Sequence, residues 1–358
     1  MNDIAPAPRR QAPVAKTLTI SMISTALLLG GLFAVPAPYA IKSPGPTMDT
    51  LGEVNSEPLI QISDAPTFES TGQLRFTTVG VSGGPGFPVN FAQVIRGWID
   101  PTRAVYPVET VFPKAATQEQ IAQENAMAMS TSQENATYAA LTELGYQIPT
   151  TLYVQGVIKD SPATGLVEPG DIVKSLNGTP IPDYQALLGM LNEIAPGTTV
   201  QLGLERAGKD VSVDLITAAN EDATGSRLGI GLRLSFDFPV DVEIKIDNVG
   251  GPSAGMIFAL GIMDRLTEPD EANGKIIAGT GTMDTAGSVG PIGGIQQKLY
   301  GSVRDGATYF LAPGANCHEV VGHVPDGLQV VKVDTLEEAW QAVIAIGKDD
   351  AANLPTCQ

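Results

Sequence analysis

The chain has 358 residues, enough for two or three domains with sizeable cores. Hydrophobic residues make up 43% and charged residues 17%; 39 glycines and 27 prolines suggest many turns and strands, short of a disordered or collagen-like composition. The net charge of −18 reads as a solubilising surface and excludes nucleic acid as a partner, because phosphate binding needs clustered Lys and Arg.

The first predicted element is apolar. Arg9, Arg10 and Lys16 precede a stretch, 17–41, without a charged residue. Its central part is long enough for a bilayer core, which needs roughly 20 residues. Positive charge ahead of the span predicts a cytoplasmic tail over 1–16, a single transmembrane anchor over 17–41, and everything after it outside the cytoplasm. A cleaved signal peptide ending at Ala40 is the alternative, although the apolar stretch is long for one and Pro38 stands where a small residue is wanted. Residues 42–56, with Ser43-Pro44-Gly45-Pro46, read as a linker. Residues 57–144 read as a β-rich segment followed by a helix. Alternation at 59–62 and 74–79 predicts strands, and 116–144, free of Gly and Pro, is helical by propensity.

Residues 145–218 carry a denser pattern. A strand over 154–158 precedes Ser161-Pro162-Ala163, then Gly165-Leu166 and Pro169-Gly170-Asp171-Ile172-Val173, ending at Leu176-Asn177-Gly178. Asp183 is a plausible N-cap for a helix over 184–194, which Pro196-Gly197 breaks, and two strands close the segment. This run resembles a PDZ domain of the kind found in bacterial proteases. The resemblance implies a module that binds an extended peptide as an added strand, or one that holds its neighbour in position.

A last domain is predicted over 225–347, with a tail at 348–358. Two strand-like runs lead into Gly250-Gly251-Pro252-Ser253-Ala254-Gly255, followed by an apolar helix. A serine at such a junction lies beside free backbone N–H groups and the positive end of the helix dipole, which can stabilise developing negative charge. Alone, that motif equally describes a plain helix cap. Further on, a strand ends at Gly279-Thr280-Gly281, and the Gly/Pro-rich run 287–294 leads into a helix carrying Lys298. A lysine on an amphipathic helix is ordinarily solvated. Together, however, Gly-Gly-Pro-Ser-Ala-Gly, the Thr-Gly-Thr and Gly-Ser-Val-Gly-Pro-Ile-Gly-Gly-Ile-Gln-Gln-Lys motifs, and Tyr-Phe-Leu-Ala-Pro-Gly-Ala-Asn at 309–316 resemble the Lon peptidase family.

The resemblance implies an α/β (α+β) Lon-type proteolytic domain preceded by a PDZ domain and one transmembrane helix, the arrangement of PDZ-containing Lon-like proteases of bacteria. By position it makes Ser253 the nucleophile, Lys298 the general base and Thr280 the support of the lysine, with backbone at Gly251, Pro252 and Ser253 around the oxyanion. Two acidic positions of the ATP-dependent relatives are here Gly250 and Thr282, and no P-loop pattern occurs. The expected activity is ATP-independent endopeptidase cleavage of extracytoplasmic peptides or unfolded proteins, with no cofactor. Rings of Lon-type domains imply a homo-oligomer by resemblance alone. The rival is a membrane-anchored PDZ scaffold with a vestigial peptidase domain. Cys317 and Cys357 can form a disulfide or stay as two thiols. His318 and His323, the two histidines, fit no familiar metal spacing beside Cys317 and Glu319, so no metal is expected.

Overall fold

The computed structural model describes residues 14–113, 117–220, 225–247 and 249–357, so the expected tail 1–16, with Arg9 and Arg10, falls almost wholly outside the described residues. Helix α1, Val14–Ala34, is apolar on every side. Its window Lys16–Ala34 is long and apolar enough to cross a membrane, and none of it is buried. The helix stops short of the expected 41. Pro36, which has no N–H, opens a short strand β1, Pro36–Ala37, and β2 follows at Tyr39–Asp49.

The linker expected over 42–56 is therefore a correction: its first half is a central strand. Ala40, Ile41 and Thr47 of β2 are buried, and the Ser-Pro-Gly-Pro run sits at an irregularity in the pairing, where a missing donor is tolerated. Next come β3 (Ile60–Ser63), β4 (Gln73–Ser82), β5 (Val89–Asn90), α2 (Phe91–Ile99) and β6 (Ala104–Pro107). Helix α3, Gln118–Glu143, starts with a capping box: Thr117 accepts from the Gln120 N–H and the Gln120 side chain accepts from the Thr117 N–H.

The chain then builds a separate antiparallel sheet. Its elements are β7 (Thr150–Val157), β8 (Ile172–Leu176), helix α4 (Tyr184–Asn192), β9 (Thr199–Arg206), β10 (Lys209–Ile216) and β11 (Ile230–Phe236), and the strand order is β10-β9-β8-β7-β11. Leu152, Val173, Leu187, Leu202 and Leu204 form its own core. The buried Asp171 explains the Pro-Gly-Asp motif. Arg206 donates to both its oxygens at 2.7 Å, the Glu168 N–H donates at 2.9 Å, and the Arg206 bonds hold the carboxyl below its usual range. The run near 228–234, expected to open the last domain, belongs here instead: Leu232 opposes Val154 and Leu234 opposes Leu152. The apolar alternation is the same in either sheet, so sequence alone could not assign it.

After β11 the chain returns beside its point of departure, where the Asp237 N–H donates to the Pro149 carbonyl at 3.0 Å. It continues through β12 (Asp241–Ile244), α5 (Gly255–Leu266), β13 (Ile276–Gly279), α6 (Ile295–Arg304), β14 (Tyr309–Pro313), β15 (Gln329–Val333) and α7 (Leu336–Gly347). β12 pairs with β3, and the main sheet runs β15-β14-β13-β4-β2-β6. β4, β13, β14 and β15 are parallel neighbours; β2 and β6 are antiparallel. Residues 57–144 are thus part of this body, and the module of β7–β11 is nested within it. Alternate residues serve opposite faces, as a pleated strand requires. Phe76, Ile277, Leu311 and Val331 pack with α3, α5 and α7, while Ala278, Phe310 and Val330 pack under α6. The segment 348–357, expected within a tail over 348–358, is likewise packed down. Ala351 is buried, the Pro355 carbonyl accepts from the Lys332 N–H, and Cys357 is joined to Cys317 in a disulfide.

Candidate active site

Ser253 stands immediately before Ala254, the cap of α5, a helix buried almost throughout because its residues are mostly apolar. Gly251 has φ +88°, a conformation that favours glycine, and it turns the chain so that Pro252 and Ser253 face the cleft. Helix α3 clamps this turn from behind. The Gly251 N–H donates to the Asn125 carbonyl at 2.9 Å, and the Ser132 hydroxyl donates to the Pro252 carbonyl at 2.9 Å. A Cβ on Gly250 would stand 2.7 Å from Asn125, and one on Gly255 2.8 Å from the Ser132 hydroxyl, so both glycines permit the close approach.

Those contacts correct the expected oxyanion set. The Gly251 N–H is already engaged, and Pro252 has none to give. Of the three named residues only Ser253 retains a backbone donor, at the positive end of α5.

Lys298 reaches Ser253 from the opposite side of the sheet edge. Gly294, at φ +73° and packed on Val79, starts α6. Ile295, Lys298, Leu299 and Ser302 then fall at the i, i+3, i+4 and i+7 spacing that faces the core. Lys298 is only 2% exposed. Its Nζ lies 2.8 Å from Ser253 Oγ and 2.7 Å from Thr280 Oγ1. No carboxylate among the described residues pairs with it, and burial alone pushes its pKa down to about 7.

Thr280 closes the arrangement. Its hydroxyl donates to the Ser253 carbonyl at 2.9 Å, and the Gly281 N–H donates to the same oxygen at 2.9 Å. With its one proton committed, Thr280 can only accept from the amine. A neutral amine that gives one N–H to Thr280 has its lone pair left for the Ser253 proton. Sequence reasoning placed Ser253, Lys298 and Thr280 within the last domain; the structure brings all three into contact.

Ser253 and Lys298 border a cleft of about 750 Å³, lined among others by Thr77, Thr78, Val79, Gly80 and Pro291. Its floor comes from β4, and α3 supplies Met129; neither element carried a functional signal in the sequence. A retrospective signal for α3 is its polar pair Ser132 and Asn135, whose side chains donate to the Pro252 and Met283 carbonyls. His318 and His323 are exposed and each contacts a carbonyl of its own loop, Ala315 and Val321.

Comparison with known proteins matches the PDZ domain family over residues 126–217 and the Lon protease (S16) C-terminal proteolytic domain over 242–345. The chain is 34% identical over 124 residues to Lon protease 2 of Herpetosiphon aurantiacus, covering 32% of this chain and 15% of that protein. It is 28% identical over 148 residues to the Lon protease of Azospirillum brasilense, covering 39% and 17% respectively. It is 30% identical over 111 residues to Lon protease 2 of Bacillus subtilis, covering 30% and 20%. The chain thus spans no more than a fifth of these relatives. Among solved structures, the PDZ domain of an SdrC-like protein from Listeria monocytogenes is similar at 24% identity, with a TM-score of 0.22, covering 23% of this chain and 85% of that one. The chain carries a PDZ domain and a Lon-type serine peptidase domain in a mixed α/β fold, and no P-loop pattern occurs in the sequence.

Proposed function

We propose that the protein is a membrane-tethered, ATP-independent serine endopeptidase in which Ser253 and Lys298 form the catalytic dyad. The single observation that carries this reading is a buried lysine, without a counter-ion among the described residues, whose amine lies 2.8 Å from a serine hydroxyl that borders an open cleft. The amine takes the Ser253 proton as Oγ attacks a peptide carbonyl, and the resulting ammonium gives that proton to the departing amine. The carbonyl oxygen of the adduct is stabilised by the Ser253 N–H at the start of α5. Water activated by the neutral lysine then releases the acyl group.

The shape of the cleft supports an extended, flexible substrate. β13 ends at Gly279, opposite Phe76, whereas β4 continues to Ser82. Thr77 to Gly80 therefore offer a strand edge to the cleft, which a peptide can join by backbone hydrogen bonds. An edge open to an extended backbone favours peptides and already unfolded chains as substrates, and no P-loop pattern in the sequence points to ATP-driven unfolding. The nested PDZ domain binds or positions them. Anchoring is supported by α1, and cleavage after Ala40 would delete β1 and the first pairs of β2 with β6. The basic residues Arg9 and Arg10 ahead of α1 support a site outside the cytoplasm.

Ser253→Ala and Lys298→Ala are each expected to lower cleavage of an unfolded model protein by roughly 10⁴-fold or more while leaving the fold intact. Labelling of Ser253 by an acylating inhibitor distinguishes this reading from an inert scaffold. Full turnover in either variant contradicts the dyad.

A further inference from the structure

Helix α2 has one apolar face buried against protein and an apolar stripe that stays largely exposed. Val94 and Gly97 are buried in a small core with Ile41 and Val89. Gly97 packs so closely that a Cβ there would stand 2.7 Å from Val105. Turned away from this core are Ile95, Trp98 and Ile99, which are 40%, 62% and 77% exposed. Their i, i+3, i+4 spacing lines them up as one stripe.

The position of α2 tells what covers that stripe. Asn90 caps α2, and its side chain donates to the Phe33 carbonyl in the last turn of α1 at 3.2 Å. β1, the first two residues of the strand after α1, pairs with β5 immediately before α2. The Tyr39 ring meets Trp98 edge-on, with centroids 5.9 Å apart. The start of α2 is thus fixed to the point where the unburied apolar helix ends. A span without protein cover has lipid for its surroundings, so α2 lies at the height where the chain leaves the bilayer. Tryptophan prefers that boundary, and the exposed Arg96 on the same helix suits anionic headgroups.

We propose that α2 is a membrane-docking helix whose Ile95, Trp98 and Ile99 enter the headgroup and acyl boundary of the bilayer that α1 crosses. The inference rests on the reading of α1 as a retained span. It turns a flexible tether into a two-point attachment, which holds the cleft at a set height above the membrane. Substrates are then drawn from chain segments close to the lipid surface.

The test uses the full chain reconstituted in vesicles whose acyl chains are brominated at shallow or deep positions. Trp98 and Trp340 are its two tryptophans, and Trp340 is buried on α7, so subtracting the Trp98→Phe emission isolates Trp98. With insertion of about 5–10 Å, Trp98 emission should fall roughly twofold with shallow bromines and less with deep ones. The Trp340 signal should not change. Protein that floats with the vesicles but keeps Trp98 unquenched overturns the docking and leaves the anchor standing. The same holds if Trp98 is shielded only in protomers that crosslink to a second copy. Failure to float at all removes the anchor and the docking with it.

Discussion

Replacing Lys298 by Met should make the protein more stable at neutral and mildly acidic pH while destroying its activity. The structure gives the size of the effect. Burial lowers the lysine pKa from 10.5 to about 7 in the folded state. Between those values the unfolded chain holds a proton that the folded chain lacks, so stability rises with pH across that window. At about 1.4 kcal/mol per pH unit, the gap corresponds to about 5 kcal/mol, a cost fully present below pH 7 and absent above 10.5. Methionine fills a similar volume and has no charge to desolvate. It forfeits the bonds to Ser253 and Thr280, which are worth about 1 kcal/mol each. Thr280 keeps its bond to the Ser253 carbonyl, so no buried donor is stranded. The net gain at pH 6 is about 3 kcal/mol; it vanishes near about pH 9 and turns into a small loss above that. Both tryptophans lie outside the PDZ insert, so unfolding followed by the Trp340 emission of a Trp98→Phe background reports on the catalytic body. If Lys298→Met were less stable than its parent at pH 6, or if the difference did not shrink as pH rises, the lysine would not be the buried, nearly neutral group described here.

Thr280→Val should lower kcat by roughly 10²-fold with little change in KM, because it unties the amine without touching the substrate cleft, and Thr280→Ser should restore most of the rate. Ser132→Ala removes the clamp on the Pro252 carbonyl; a thermal melt should show a loss of about 1 kcal/mol, accompanied by slower acylation of Ser253. Cys317 and Cys357 close a loop with a sequence separation of 40, so changing both to Ser should cost about 2–4 kcal/mol in denaturant unfolding while cleavage below the transition persists.

The elements legible in the sequence were those whose signal is local. The PDZ strands announce themselves through turn residues, and Ser253 and Lys298 through motifs that sit at a helix start and on a helix face. What sequence reading missed is set by long-range pairing. Residues 42–49 carry prolines and a glycine, which argue for a linker, yet the strand is held by buried contacts at Ala40, Ile41 and Thr47 and by neighbours on both sides. β11 has an alternation that suits either sheet, and only its register against β7 decides. The nesting of the PDZ domain follows from those two misreadings, since the first half of the catalytic body was read as a separate segment. In the site, the burial of Lys298 is not legible from α6 alone, where a lysine on an amphipathic helix is ordinarily solvated; only the family motif points to it. The supporting role of α3 was not legible either, because Asn125 acts through its backbone carbonyl, which any residue could supply.

The central claim is that one amine, neutral near pH 7, activates one hydroxyl. Its most direct measurement is the rate at which an acylating inhibitor labels Ser253, followed by mass spectrometry of the intact chain from pH 5 to pH 9. The account predicts a rate that levels off above about pH 7, falls about tenfold per pH unit below it, and is lost in Lys298→Met. A rate that is flat down to pH 5, or unchanged in Lys298→Met, would contradict it.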